Sequence, residues 1–463
     1  MKALLYRGTA DNPAIWPRAL RDLTYAAAVM TVAVGPSGAN GEYLQQLDDF
    51  LERTSPELKQ SDDTFQLAEL ANRIRDDLHP YFLYGCGSNQ HNQLLLASET
   101  NAASLIDEDE CHELREMLLL SEKVGDSRDR AQAILAGGGH SGVLTEQGRL
   151  VLFGWDGDGQ LGTSCSQESL SDGYSVMKAL EGVQVSHCSL GFSHTLAVEA
   201  GSDKLLAFGD NSYHQLGIRG SVKGNVHPLN DERVIGIAAG VFHSVAVTAL
   251  RELVYLGKSR HGPINGSDSI QRWKCDVPLS NLVTCGRQHT VVVDEKQRLW
   301  TFGDNKYHQL GRSSSERVGL VDWDAGNISQ VVEIHSGWSH TVVLARTKDD
   351  TTVCYGWGRN DKGQLGTGTT KHITTPLRLF EEVDCIQTIS CGSESTVVVD
   401  SNNQIWSCGW NEHGNLGLGH TNDAHRLAKV TGAPVCAPPG YPEDTTVSIA
   451  AGGGHLLAMY TVK

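Results

Sequence analysis

Gly337-Trp338-Ser339-His340-Thr341-Val342-Val343-Leu344, followed by Trp357-Gly358-Arg359-Asn360 and a turn ending in Leu365-Gly366, decides the fold of this chain. Each half of that passage is one phrase of a repeat. The first phrase is Gly-x-x-His running into alternating β-branched residues, the period-2 signature of a strand. It returns at Gly137 to His140, Gly191 to His194, Gly240 to His243, Gly286 to His289 and Gly452 to His455. At Gly392-Ser393-Glu394-Ser395 the His is missing. The second phrase is an apolar strand ending in a Gly-rich turn and a Leu. Its copies are Tyr84-Gly85-Cys86-Gly87-Ser88-Asn89 to Leu94, Phe153-Gly154-Trp155 to Leu161-Gly162, and Phe208-Gly209-Asp210-Asn211 to Leu216-Gly217. Further copies are Phe302-Gly303-Asp304-Asn305 to Leu310-Gly311 and Cys408-Gly409-Trp410-Asn411 to Leu416-Gly417. A worn copy reads Leu256-Gly257-Lys258, then Gly262-Pro263-Ile264-Asn265. Each phrase occurs seven times at roughly fifty-residue spacing, the length of a four-stranded propeller blade.

The order of the phrases sets the closure. The series opens at Tyr81 to Leu94 with a turn phrase that no Gly-x-x-His precedes, and ends on Gly452 to Tyr460 with no turn phrase after it. Two complementary half-blades complete one sheet and leave no exposed edge. The expected fold is therefore mainly β: a seven-bladed β-propeller over residues 79–463, closed by pairing of its N- and C-terminal strands. The stretch from Ser98 to Gln132 interrupts the first blade, with acidic Asp107-Glu108-Asp109-Glu110 ahead of apolar Leu114 and Met117 to Leu120. It reads as an elongated loop with a short helix, or alternatively as a partner-docking insert.

The formal charge of −17 opposes binding to nucleic acid and to anionic membranes, and neither is an expected partner. Eleven scattered cysteines form no C-x-x-C pair, which reads as reduced thiols of a cytoplasmic protein, with the nucleus as the alternative. There is neither a signal-peptide pattern nor an apolar run long enough to span a bilayer. His140, His194, His243, His289, His340 and His455 invite comparison with a metal cluster, but one per blade distributes them around a ring. They are expected to be structural repeat histidines, with no metal and no cofactor. Asp156-Gly157-Asp158-Gly159 lacks the further ligands of a calcium loop, and Gly366 to Lys371 lacks the spacing of a phosphate loop.

Both phrases resemble the regulator of chromosome condensation family, over about four-fifths of the chain. In that family the repeat His helps tie adjacent strands. The resemblance implies a protein partner on one propeller face. That partner is a small GTPase if the chain acts in guanine-nucleotide exchange. It is a small zinc protein if the chain serves as an accessory in tRNA modification or diphthamide synthesis.

Residues 1–78 stand outside the repeat and read as a small α/β, mostly helical, partial domain. A strand runs from Tyr6 to the turn at Asp11-Asn12-Pro13. Helices follow over Leu20 to Val34, Asn40 to about Arg53 and Thr64 to Leu78. Ala3-Leu4-Leu5-Tyr6, Thr9 to Pro13 and Gly35-Pro36-Ser37-Gly38-Ala39-Asn40-Gly41-Glu42-Tyr43-Leu44 resemble the C-terminal half of ChaC-type γ-glutamylcyclotransferases. Ile15-Trp16-Pro17 departs from that pattern. Those lyases act in glutathione catabolism, converting glutathione to 5-oxoproline and Cys-Gly by attack of the glutamyl α-amine on its own side-chain carbonyl. The resemblance implies substrate-binding roles for Tyr43, and also for Ser37 and Asn40. The family's Gly-Ser loop and catalytic Glu precede the strand that begins this chain, so no catalytic residue is assigned. The expectation is a protein-binding propeller scaffold beside an inactive ChaC-like segment. The alternative is a glutathione-specific γ-glutamylcyclotransferase whose gene product extends upstream.

Overall fold

A computed structural model describes residues 81–96, 109–117, 130–162, 174–176, 183–218, 229, 232–264, 269–323, 326–432 and 445–462. Their strands make seven antiparallel sheets. Blade 1 runs outward through Ala131–Ala136, His140–Thr145, Leu150–Gly154 and Tyr174–Val176. Blade 2 has Val185–Leu190, His194–Glu199 and Leu205–Gly209 among the described residues. Blade 3 spans Val234–Ala239 to Ile270–Trp273, blade 4 Leu279–Cys285 to Val318–Leu320, blade 5 Ile328–Ser336 to Ile373–Leu379, and blade 6 Thr388–Cys391 to Ala424–Lys429.

The strand chemistry explains this layering. In blade 5 the second strand, His340–Thr347, is buried on both faces except at Arg346, because a neighbouring sheet covers each face. The outermost strand, Ile373–Leu379, is exposed at four of its seven positions. The core is accordingly divided into seven apolar clusters, one at each interface between blades. Between blades 1 and 2, for example, Leu152, Leu161, Ala197 and Phe208 are fully shielded from solvent. Burying such a Leu or Phe contributes about 1.5–3 kcal/mol.

Blade 7 is the seal. Its sheet order is Thr445–Ala451, His455–Val462, Tyr81–Ser88 and Glu110–Glu116, so its two halves come from opposite ends of the repeat region. Register runs antiparallel from Tyr81 opposite Thr461, through Leu83 opposite Met459, to Gly87 opposite His455. The expectation of a loop and short helix across Ser98 to Gln132 needs correction. Glu110–Glu116 is instead the outer strand of this blade, pairing with Tyr84 to Ser88. Cys111, Leu114 and Met117 are buried while His112 and Glu113 are exposed. The three-residue spacing that reads as a helix is a bulged strand, whose register shifts between Gly85 and Gly87.

The hub is a ring of glycines. A Cβ on Gly137 would lie 2.7 Å from the Gly191 carbonyl oxygen, and the same collision passes from blade to blade until Gly452 meets the Gly137 oxygen at 2.5 Å. Only glycine lets seven backbones approach the axis this closely. Backbone hydrogen bonds follow the same circuit, from Gly138 N–H to Gly191 O at 3.1 Å round to Gly453 N–H to Gly137 O at 2.8 Å.

Candidate functional site

Each repeat His opens the second strand of its blade and is at most 2% exposed. Its Nε2 reaches a hydroxyl one position after the corresponding residue of the next blade: His140 to Thr195 at 3.1 Å, His194 to Ser244 at 2.8 Å and His243 to Thr290 at 2.8 Å. The series continues with His289 to Thr341 at 3.1 Å, His340 to Thr396 at 3.2 Å and His455 to Ser141 at 2.9 Å. The ties therefore join blades, not neighbouring strands of one sheet. Four of the hydroxyls spend their own proton on a carbonyl of the preceding turn: Ser141 on Gln93, Thr195 on Gln160, Ser244 on Gln215 and Thr396 on Gln364. Such a hydroxyl accepts from the imidazole, which fixes the Nε2–H tautomer and leaves Nδ1 a bare lone pair. Burial pushes these imidazoles down to about 3 (His140, His243, His289) or about 4 (His194, His340, His455), so they stay neutral. The histidines are stitching.

One seam departs. Between blades 6 and 7 the His position is Ser395, the hydroxyl position is Leu456, and the turn Gln is Asn415. All three members of the relay change together.

The hub holds a solvent-open cavity of about 80 Å³, walled by the glycine ring and by Ala136, Ala239, Cys285, Ser336, Cys391 and Ala451. Burial pushes both channel thiols up to about 12, so neither is a thiolate nucleophile. No cluster of three His, Cys, Asp or Glu able to hold a metal occurs among the described residues. Reactive groups do not converge here.

The channel mouth is different in kind. It is built from the two variable positions of Gly-x-x-His. Phe192 of blade 2 is 37% exposed and lies edge-on to Trp338 of blade 5, with ring centroids 6.1 Å apart. The Arg287 guanidinium of blade 4 sits 5.5 Å from the Phe242 ring and 5.7 Å from the Trp338 ring. Phe242 packs against Tyr213 at 4.4 Å, and the Lys258 ammonium lies 4.2 Å over Tyr213. On the turn of blade 4, Tyr307 carries Lys306 and Arg359, each 5.0 Å from its ring. Arg359 also pairs with Glu394 of blade 6, beside the channel residue Ser393. Across the mouth, blades 7 and 1 offer Gly453, Gly454, Gly138 and Gly139, which are bare backbone. None of the mouth aromatics stands out in the sequence, because each occupies a position the repeat leaves free. Aligning the seven phrases and reading only their x-x pairs would expose them. Tyr43, Ser37 and Asn40 lie outside the described residues.

Fold and site together define a propeller that stitches its blades with neutral histidines and presents a half-aromatic mouth. The chain belongs to the RCC1-like domain family, whose model matches residues 82–458. A second model, for ChaC-like protein, matches residues 1–75. The chain is 29% identical over 304 residues to the ultraviolet-B receptor UVR8 of Arabidopsis thaliana, covering 63% of this chain and 68% of that protein. It is 28% identical over 377 residues to the secretion-regulating guanine nucleotide exchange factor of Mus musculus, covering 71% and 75%. Among solved structures, Prp20p of Saccharomyces cerevisiae shares the fold with a TM-score of 0.67 at 15% identity, over 84% of this chain and 94% of that one.

Proposed function

We propose that this protein is a docking scaffold whose propeller holds a protein partner on the aromatic half of the channel mouth. One observation carries the reading. Phe192, Trp338, Phe242 and Arg287 come from four blades and converge at one opening, where Phe192 stays 37% exposed. Clustered aromatics with an Arg are the composition of interface hot spots, and a rigid ring presents them at low entropic cost. The similarity to a guanine nucleotide exchange factor puts a small GTPase first among candidate partners, ahead of a small zinc protein. Prp20p, which has the same fold, is described with binding to Gsp1p and histones.

The ChaC-like segment is the second part of the proposal. Ser37, Asn40 and Tyr43 fit that family's pattern, whereas the Gly-Ser loop and the Glu that acts on the amine have no counterpart in residues 1–75. This polypeptide is therefore proposed not to turn over glutathione. Purified chain incubated with glutathione should yield no 5-oxoproline, and clear turnover would overturn that part.

For the scaffold, the full chain and a Phe192→Ser/Trp338→Ala variant are immobilised and their captured proteins identified by mass spectrometry. A partner held by the first and released by the second is the expected result. Equal capture by both chains would remove the mouth as the working surface.

A further inference from the structure

Resting on the docking reading above, the geometry points to a partner that presents an acidic peptide segment with one aromatic or branched apolar side chain. The carboxylates would face Lys258, Arg287 and Lys306, and the apolar side chain would pack on the exposed part of Phe192 where it meets Trp338.

The argument is electrostatic. Acidic groups exceed basic ones in this chain, 55 to 38, so a surface cation readily finds a carboxylate. Several cations elsewhere on the ring do: Arg233 pairs with Asp203, Arg272 with Glu232, Lys274 with Glu252 at 3.3 Å and Lys362 with Asp423 at 3.2 Å. Lys258, Arg287 and Lys306 are exposed, and among the described residues none has a carboxylate within ion-pair distance. Each lies instead over an aromatic ring, Tyr213, Phe242 with Trp338, or Tyr307. A cation so placed keeps its charge available and is held in a fixed direction by the ring quadrupole. Three such cations on the adjacent blades 3 and 4, beside an exposed Phe, make a positive, apolar-centred surface on a negative molecule. Long-range repulsion from the rest of the protein disfavours a generally acidic partner, whereas a short acidic segment gains most of its attraction within a Debye length of these cations.

The acceptor surface differs from a nucleic-acid groove. The cations cluster on blades 3 and 4 and do not line a track, so a backbone of regularly spaced phosphates cannot follow them.

A random twelve-residue phage-displayed peptide library, selected on the full chain, provides the probe. Enriched peptides should carry net negative charge and at least one Phe, Trp, Leu or Ile. The consensus peptide, synthesised with a fluorophore, should lose at least about tenfold in affinity for a Lys258→Glu/Arg287→Glu variant by fluorescence polarisation. It should weaken similarly for Phe192→Ser. Unchanged thermal melting of both variants shows that the fold is intact. Enrichment of neutral or basic peptides, no enrichment at all, or a consensus insensitive to the charge reversal overturns the inference. An oligo-dT strand that displaces the peptide at equal concentration overturns it as well. The two readings fail separately. If protein capture is lost with Phe192→Ser/Trp338→Ala but survives the charge reversal, the scaffold stands and the acidic partner falls.

Discussion

Six seams of this ring are held at the hub by an imidazole and a hydroxyl, while the seventh, between blades 6 and 7, is held mainly away from it. There Asn403 Nδ2 donates to Thr445 O at 2.6 Å, Leu114 N–H to Thr431 O at 3.1 Å and Gly419 N–H to His112 O at 2.8 Å. His413 Nδ1 adds a 2.7 Å contact to Glu110 Oε1. Near the axis Ser393 Oγ donates to the Gly453 carbonyl, and Ala451 N–H donates to Ser390 Oγ at 3.0 Å. The comparison teaches why the exception is tolerated. A buried hydrogen bond contributes little net stability, but one partner left without the other costs about 1–3 kcal/mol. Ser395 and Leu456 have changed as a pair, so no imidazole N–H is left facing an apolar side chain.

The harshest way to break the comparison is acid, because it attacks six seams and spares the seventh. The unfolded histidines titrate near 6.5, whereas the folded ones are pushed down to about 3 to 4. Below 6.5 the unfolded chain therefore binds protons that the folded chain refuses. Their contribution is complete above pH 6.5 and is lost as pH falls toward 4. At about 1.4 kcal/mol per pH unit each, the six together approach a slope on the order of 8 kcal/mol per pH unit. Urea denaturation at a series of pH values should show a steep fall below pH 6. A flat profile between pH 6 and 4.5 would contradict neutral buried imidazoles.

A single seam is the next target. His194→Ala removes the donor to Ser244 and opens a cavity between blades 2 and 3, with an expected loss of about 2–3 kcal/mol by chemical denaturation. Ser395→Ala, at the equivalent place in blade 6, should cost less than about 1 kcal/mol. Equal losses would erase the distinction between the seams.

Rebuilding the missing tie gives the sharpest test. Ser395→His sets an imidazole N–H against Leu456 with no acceptor and should destabilise by about 1–2 kcal/mol. Adding Leu456→Thr should recover most of that loss, a coupling measurable as a double-mutant cycle. Additive losses would mean that the relay does not act as a unit.

Much of this was legible in the chain itself. The alternation at His340 to Leu344 and the unmatched phrases around Tyr84 and His455 suffice for a sealed seven-bladed ring, because strand periodicity and phrase order are local properties of sequence. Ser395 is visibly aberrant there too. What the sequence does not show is that Ser395, Leu456 and Asn415 belong to one relay, since the contact that relates them crosses between sheets. Glu110–Glu116 was hidden for a similar reason: Leu114 and Met117 fit a helical face, and only pairing with Tyr84 to Ser88 makes the segment a strand. The mouth aromatics escaped notice because a repeat draws the eye to what recurs, whereas Phe192, Phe242 and Trp338 are what varies.

Blade 7 also imposes a schedule on biosynthesis. The strand Tyr81–Ser88 has one neighbour, Glu110–Glu116, that is made soon after it, but the other, His455–Val462, leaves the ribosome long afterwards. At translation rates of about 5–20 residues per second, that interval is roughly 20–70 s. Throughout it the inner edge of an apolar strand waits with unpaired amides, the kind of edge onto which another chain can add a strand.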